Sequence, residues 1–159
     1  MNVADLLVRR RSVILADSFA AMKSLGEAHY ERAGEAATQE RLADLFDLVV
    51  TALQERHLAE VSSYCQDVAQ RRFVEGFGIS EVQTAFNVLE RAMWERVVSE
   101  VPADELAEAV GLLTTVFGFG KDALAREYVS LASHRRVPTL DLTAMFAGTD
   151  GVTVPVPPS

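Results

Sequence analysis

The chain predicts an all-α fold: a helical bundle of about five to seven helices with an extended C-terminal tail. Three observations carry this. Of the five prolines only Pro102 precedes Pro138, so a long first stretch has almost no obligatory break. Apolar residues recur there at spacings of three and four. The strict apolar/polar alternation of a half-buried strand occurs nowhere, and no Asn-Gly or Asp-Gly turn falls between apolar runs before Asp150-Gly151.

Five helical segments follow in order. The first spans Asp5 to Glu31, with Leu6, Leu7, Val13, Ile14, Phe19 and Met22 as its apolar residues and a break expected near Gly26. The second begins after Thr38, read as an N-cap, and carries Leu42, Phe46, Val49 and Leu53 on one face. The third runs from Leu58 to Glu75, with Val61, Cys65, Val68 and Arg72 in line and Tyr64 and Phe73 beside them. Gly76-Phe77-Gly78 should end it, because glycine accepts the left-handed conformation of a helix C-terminus. Ser80-Glu81-Val82-Gln83 reads as a capping box opening the fourth segment, whose stripe is Val82, Phe86, Leu89, Met93 and Val97. Pro102 is placed to open the fifth, which extends to about His134 along Leu106, Val110, Leu113, Phe117, Gly120, Leu124, Tyr128 and Leu131.

The fifth segment has a second apolar line, Ala109, Leu112, Val116, Phe119 and Ala123, and the fourth has Trp94, Val98 and Val101 off its main stripe. A face that wide is either central in the bundle or covered by another subunit. We expect the second, a homodimer interface that includes Trp94, Val98, Leu112, Val116 and Phe119. Gly118 and Gly120 each cost about 1 kcal/mol in a helix relative to alanine, so close backbone packing is expected at both.

Residues 1–136 therefore form one domain and residues 137–159 a tail. Leu140, Leu142, Met145 and Phe146 are too apolar for a free linker and are expected to dock on the domain or a partner, leaving the proline-rich last residues flexible.

Composition narrows the function. The apolar share is 49%, the charged share 24% and the net charge −8, an ordinary soluble composition without the basic stripe of a nucleic-acid binder. No apolar run reaches the length of about 18 residues that suggests a membrane span. The N-terminus lacks the pattern of a secretory signal, so a cytoplasmic protein without membrane or nucleic-acid partners is expected. Cys65 is the single cysteine, which excludes an intrachain disulfide and a multi-cysteine metal site.

Chemistry-bearing motifs are sparse. His29, His57 and His134 lie in separate segments without metal-ligand spacing, so no metal is expected. His57, at a helix junction, is the one histidine to test as a heme ligand. Cys65 has no histidine nearby to activate it and reads as a buried thiol. Glu100, Asp104, Glu105 and Glu108 sit where a helix dipole favours negative charge. The sequence lacks the glycine and lysine pattern of a phosphate loop. Arg72 should reach inward toward Glu90 or Glu95, and Arg91 and Arg96 should pair within their own helix. No catalytic residues and no cofactor are expected; the chain reads as a non-enzyme.

The stretch from Ala69 to Arg96, with an arginine-bearing helix ending at Gly76 and a capped helix carrying Arg91 and Trp94, resembles the N-terminal domain of the RsbR/RsbRD co-antagonists of bacterial stressosomes. A related pattern occurs in sensory regions of PucR-like transcription regulators. The resemblance implies a heme-free, globin-like sensory domain of a stress-response signal transduction system, dimeric through its last two long helices. No anti-sigma-antagonist-type domain follows in this sequence, so the expected action is through a regulatory protein partner, or by presenting Thr139–Phe146 to one. The alternative is a carrier or sensor of a bound small molecule (heme, tetrapyrrole or fatty acid) in a helical pocket near Phe86, Trp94 and Phe117.

Overall fold

In the computed structural model, residues 2–25 and 34–133 are described. They form an all-α, globin-like bundle of six helices: α1 (Val3–Arg9), α2 (Arg11–Leu25), α3 (Glu35–Glu55), α4 (Ala59–Val74), α5 (Ile79–Glu100) and α6 (Ala103–Ser133). The expected break at Gly26, the domain boundary near residue 136 and the tail lie outside the described residues, as do His29 and His134.

The longest helix, α6, is the middle of the fold. It packs most extensively along α4 and next along α5, with α3 also against it; α2 lies on α5, and α1 rests on α3 and α5. Both apolar lines of α6 therefore turn inward: Leu113, Val116, Phe117, Phe119, Ala123 and Leu124 are all buried. The breadth of its apolar face reflects neighbours on several sides within one chain.

Close approach is real at Gly120 of α6 and absent at Gly118. A Cβ at Gly120 would stand 3.4 Å from Phe86 Cε2 and Val61 Cγ1 and 3.5 Å from Cys65 Sγ, so α6 sits near both α4 and α5 there. Gly118 is exposed, with open space where a Cβ would lie, and nothing in the packing calls for glycine.

Helix ends depart from the sequence reading in physically traceable ways. The first segment is two helices, divided at Arg10 (φ −102°, ψ 13°), whose amide donates to Leu6 and Leu7 carbonyls. No proline or glycine marks that break. Leu6 and Leu7 on one side of it, and Ile14 and Met22 on the other, are all buried. Ser18 completes the buried line of α2 because its hydroxyl donates to the Ile14 carbonyl at 2.8 Å, so its own donor is paired. Val13 stays exposed.

Thr38 is not the cap of α3. The helix starts a turn earlier, after Gly34, and the buried Thr38 hydroxyl donates to the Gly34 carbonyl at 2.8 Å. Likewise Gly78, not Ser80, precedes the first residue of α5, and Glu81 Oε1 accepts from the Gly78 amide at 3.4 Å. Pro102 stands just before α6, its carbonyl accepting from the Glu105 amide at 3.0 Å. The end of α4 is as expected. Gly76 takes φ +86°, its amide donating to Phe73 O, while Phe77 N donates to Arg72 O at 2.9 Å, a Schellman closure.

Candidate functional site

Two places on the molecule combine surface access with chemistry: a cleft at one end of α3, α4 and α5, and the outer edge of α5.

The cleft, about 350 Å³, lies between α3, α4 and the start of α5, with Met22 of α2 at its margin. Its apolar wall includes Leu45, Val68 and Phe86. Its polar wall holds three arginines: Arg41 from α3, and Arg71 and Arg72 from the last turn of α4. The periodicity of α4 explains the arginine pair. Arg72 continues the line Val61, Cys65, Val68 and is itself buried, while Arg71 is turned about 100° away and is exposed.

The three guanidiniums differ in how they are satisfied. Arg72 does not reach Glu90 or Glu95; its Nη1 donates to both Glu75 oxygens, at 3.0 and 2.9 Å, one turn along the same helix. A buried cation is held by the nearest carboxylate that can follow it. Arg71 Nε donates to the Asp67 carbonyl at 3.4 Å. Arg41 is half-buried and makes no hydrogen bond or ion pair to a described residue. Its protonated form is disfavoured first by burial and then by the charges of Arg72 and Arg71, with Glu75 opposing them.

Tyr64 shares the cleft, half-buried. Burial, and then the negative charge of Asp44, push its phenol up to about 12. Glu40, Asp44 and Glu81 also reach the lining, Glu81 being the group that caps α5. Beside the cleft, burial raises the thiol of the fully enclosed Cys65 to about 12, as expected of an inert cysteine.

The outer edge of α5 carries Trp94 and Val98, which are 40% and 49% exposed. The neighbouring intrahelical pair is the expected one, Arg91 Nε to Glu95 Oε1 at 3.0 Å. Arg96 instead reaches across to Asp17 of α2 at 3.7 Å. The Lys121–Glu90 ion pair, at 2.7 Å, ties α6 to α5. The short Val101-Pro102 connection makes the two helices antiparallel. Four residues onward on α5 then correspond to four back on α6, which puts Trp94 near the level of the exposed Gly118 and Val98 near that of Thr114.

The sequence-predicted residues divide accordingly. Of the interface set, Trp94 and Val98 are available at the surface and Leu112 is half-buried, but Val116 and Phe119 are 1% and 5% exposed within a single chain. Val101 is buried too. The bundle's own helices enclose these side chains, so they cannot also offer surface to a second copy. The pocket trio does not line one cavity: Phe86 lines the cleft, Phe117 is buried in the core, and Trp94 is exposed. His57 is exposed at the α3–α4 junction, after the left-handed Arg56 (φ 55°), and lines neither the cleft nor the groove between α2 and α5. Leu140, Leu142, Met145 and Phe146 lie outside the described residues.

The arginine cleft was missed by sequence reasoning. Arg71-Arg72 was visible as a basic pair, but Arg41 comes from another helix thirty residues earlier, and nothing local links them. Among the described residues no group of three or more histidine, cysteine, aspartate and glutamate side chains could hold a metal ion. None of the described helices is long and apolar enough to cross a membrane.

Comparison with known proteins gives one match. The family model of the RsbT co-antagonist protein rsbRD N-terminal domain covers residues 13–130, well over half of the chain. No curated protein and no solved structure matches.

Proposed function

The chain belongs to the RsbT co-antagonist protein rsbRD N-terminal domain family, and from that premise we propose that it is a non-enzymatic sensory domain that dimerises through α5 and α6 and relays its signal by protein–protein contacts. The observation that carries the dimer is the outer edge of α5. A tryptophan and a valine stand exposed there, and the adjacent level of α6 is Thr114 and Gly118, small side chains that let a partner helix come close. Tryptophan is among the residues most enriched in interface hot spots.

Signalling through such a contact needs only two packings of the pair that differ in affinity for an effector or partner. The shared face is smaller than the sequence suggested, because Val116 and Phe119 belong to the chain's own core. Trp94, Val98 and Leu112 remain as its apolar content.

Sedimentation velocity over a concentration series is the direct test. The wild-type chain should run as a dimer at micromolar concentration. The variants Trp94→Asp and Val98→Asp should weaken the dimer by about 2 kcal/mol or more, some thirtyfold in the dissociation constant, with helical content unchanged by circular dichroism. A wild-type monomer at these concentrations overturns the dimeric reading.

A further inference from the structure

We infer that the cleft between α3, α4 and the start of α5 binds a small amphipathic monoanion, its negatively charged head on Arg41 and Arg71 and its apolar body against Leu45, Val68 and Phe86. Shape supplies the first reason. A cleft of about 350 Å³ falls at the lower end of the roughly 300–1,000 Å³ of small-molecule sites, and its wall sets apolar side chains beside polar and charged ones.

Charge supplies the second. Three guanidiniums from two helices line one cleft, and a guanidinium cannot relieve the crowding by losing its proton. Arg72 is matched by Glu75, and among the described residues no carboxylate bonds Arg41 or Arg71. Arg41 is the more telling of the two. It is drawn half out of water beside two like charges, and Glu75, the described carboxylate acting on it, is already bonded to Arg72. An exposed arginine would simply extend into solvent at such a place. An anion on Arg41 and Arg71 would give both forks a charge-assisted partner.

The other charged groups limit the ligand. Glu40, Asp44 and Glu81 also line the cleft, so a dianion or a polyphosphate would meet repulsion that a single negative charge largely escapes. An inorganic anion would leave the apolar wall wet, and a neutral hydrocarbon would leave the two arginines unmatched. One negative charge on an apolar body satisfies both walls.

This deepens the sensory reading by naming what the domain would sense, yet binding is measured without reference to oligomeric state, so either can fail alone. The probes are 8-anilinonaphthalene-1-sulfonate and its uncharged counterpart N-phenyl-1-naphthylamine, which share an apolar body and differ in the sulfonate. Fluorescence titration of the full chain should show one saturable sulfonate site, with the uncharged dye binding about tenfold or more weakly. Arg41→Gln should weaken the sulfonate by about tenfold and leave the uncharged dye unchanged. Ala85→Phe, which fills the cleft from a half-buried position on α5, should abolish both, while Trp94→Ala should affect neither. Equal affinity for the two dyes, or indifference to Arg41→Gln in a variant of native circular dichroism, overturns the proposal. So does loss of sulfonate binding in Trp94→Ala, which would place the dye on the outer edge of α5. Full displacement of the dye by millimolar inorganic phosphate would mean a plain anion site and overturns it as well.

Discussion

Cys65 and Tyr64, adjacent on α4, hold their protons for the same reason. Burial makes the ionised form costly, and both groups stand at about 12, up from ordinary values of 9.0 for the thiol and 10.0 for the phenol. In the unfolded chain each would ionise near its ordinary value. Their contribution to stability is therefore complete below about pH 9 and is lost progressively as pH rises toward 12. Chemical denaturation between pH 8.5 and 11.5 should show a falling midpoint, with a shallower fall in Cys65→Ala and Tyr64→Phe. Ellman's reagent at about pH 8 should label Cys65 only after unfolding, because thiolate is the reactive form and the folded chain keeps it protonated. Rapid labelling of the native chain would show that the thiol is neither buried nor protonated.

At the level of helices, the sequence made the existence and order of the main elements legible, since spacings of three and four persist through α3 to α6. Starts were less legible. Thr38 and Ser80 have the right chemistry for caps, but caps compete, and Gly34 and Gly78 begin their helices up to a turn earlier. The break at Arg10 was not legible at all, because a tertiary requirement, burying apolar residues on both sides of it, sets it. The same holds for the site. Trp94 could be read as an off-stripe residue, but the meeting of Arg41 with Arg71 and Arg72 depends on how α3 packs. Gly118 and Gly120 of α6 give a matched test. Gly118→Ala should stabilise an isolated chain by about 0.5–1 kcal/mol through helix propensity alone. Gly120→Val should destabilise by about 1–3 kcal/mol, since its branches would enter a space bounded by Phe86, Val61 and Cys65. Thermal or urea unfolding of both variants reads the two signs. If Gly118→Ala also weakens the dimer, the partner helix approaches closely at that level.

For the molecule as a whole, α1 decides where the folding unit begins. The family match starts at residue 13, beyond α1, yet Leu6 and Leu7 are among the most completely buried side chains in the chain. They rest on α3 and α5, and Arg10, just past α1, adds Nε and Nη2 hydrogen bonds to Glu100 at 2.6 to 3.0 Å. That bond holds Arg10 more firmly protonated and keeps the Glu100 carboxyl below its ordinary value, so its contribution is present at neutral pH and fades on acidification. The helix is thus part of the cooperative core. Leu7→Ala should cost about 2–5 kcal/mol and should still unfold in a single transition by circular dichroism. A small loss, or a separate early transition, would make α1 an appendage.

The tyrosine near the end of α6 has a mechanical consequence. The Tyr128 hydroxyl donates to the Phe77 carbonyl at 3.2 Å, and Phe77 is also a wall of the arginine cleft. Its ring meets Phe73 edge to face at 5.9 Å, so the joint is gripped from two directions. Whatever wedges Phe77 aside must stretch that tether or drag the last two turns of α6 along with it. One wall of the cleft is thereby fastened to the C-terminal turns of α6.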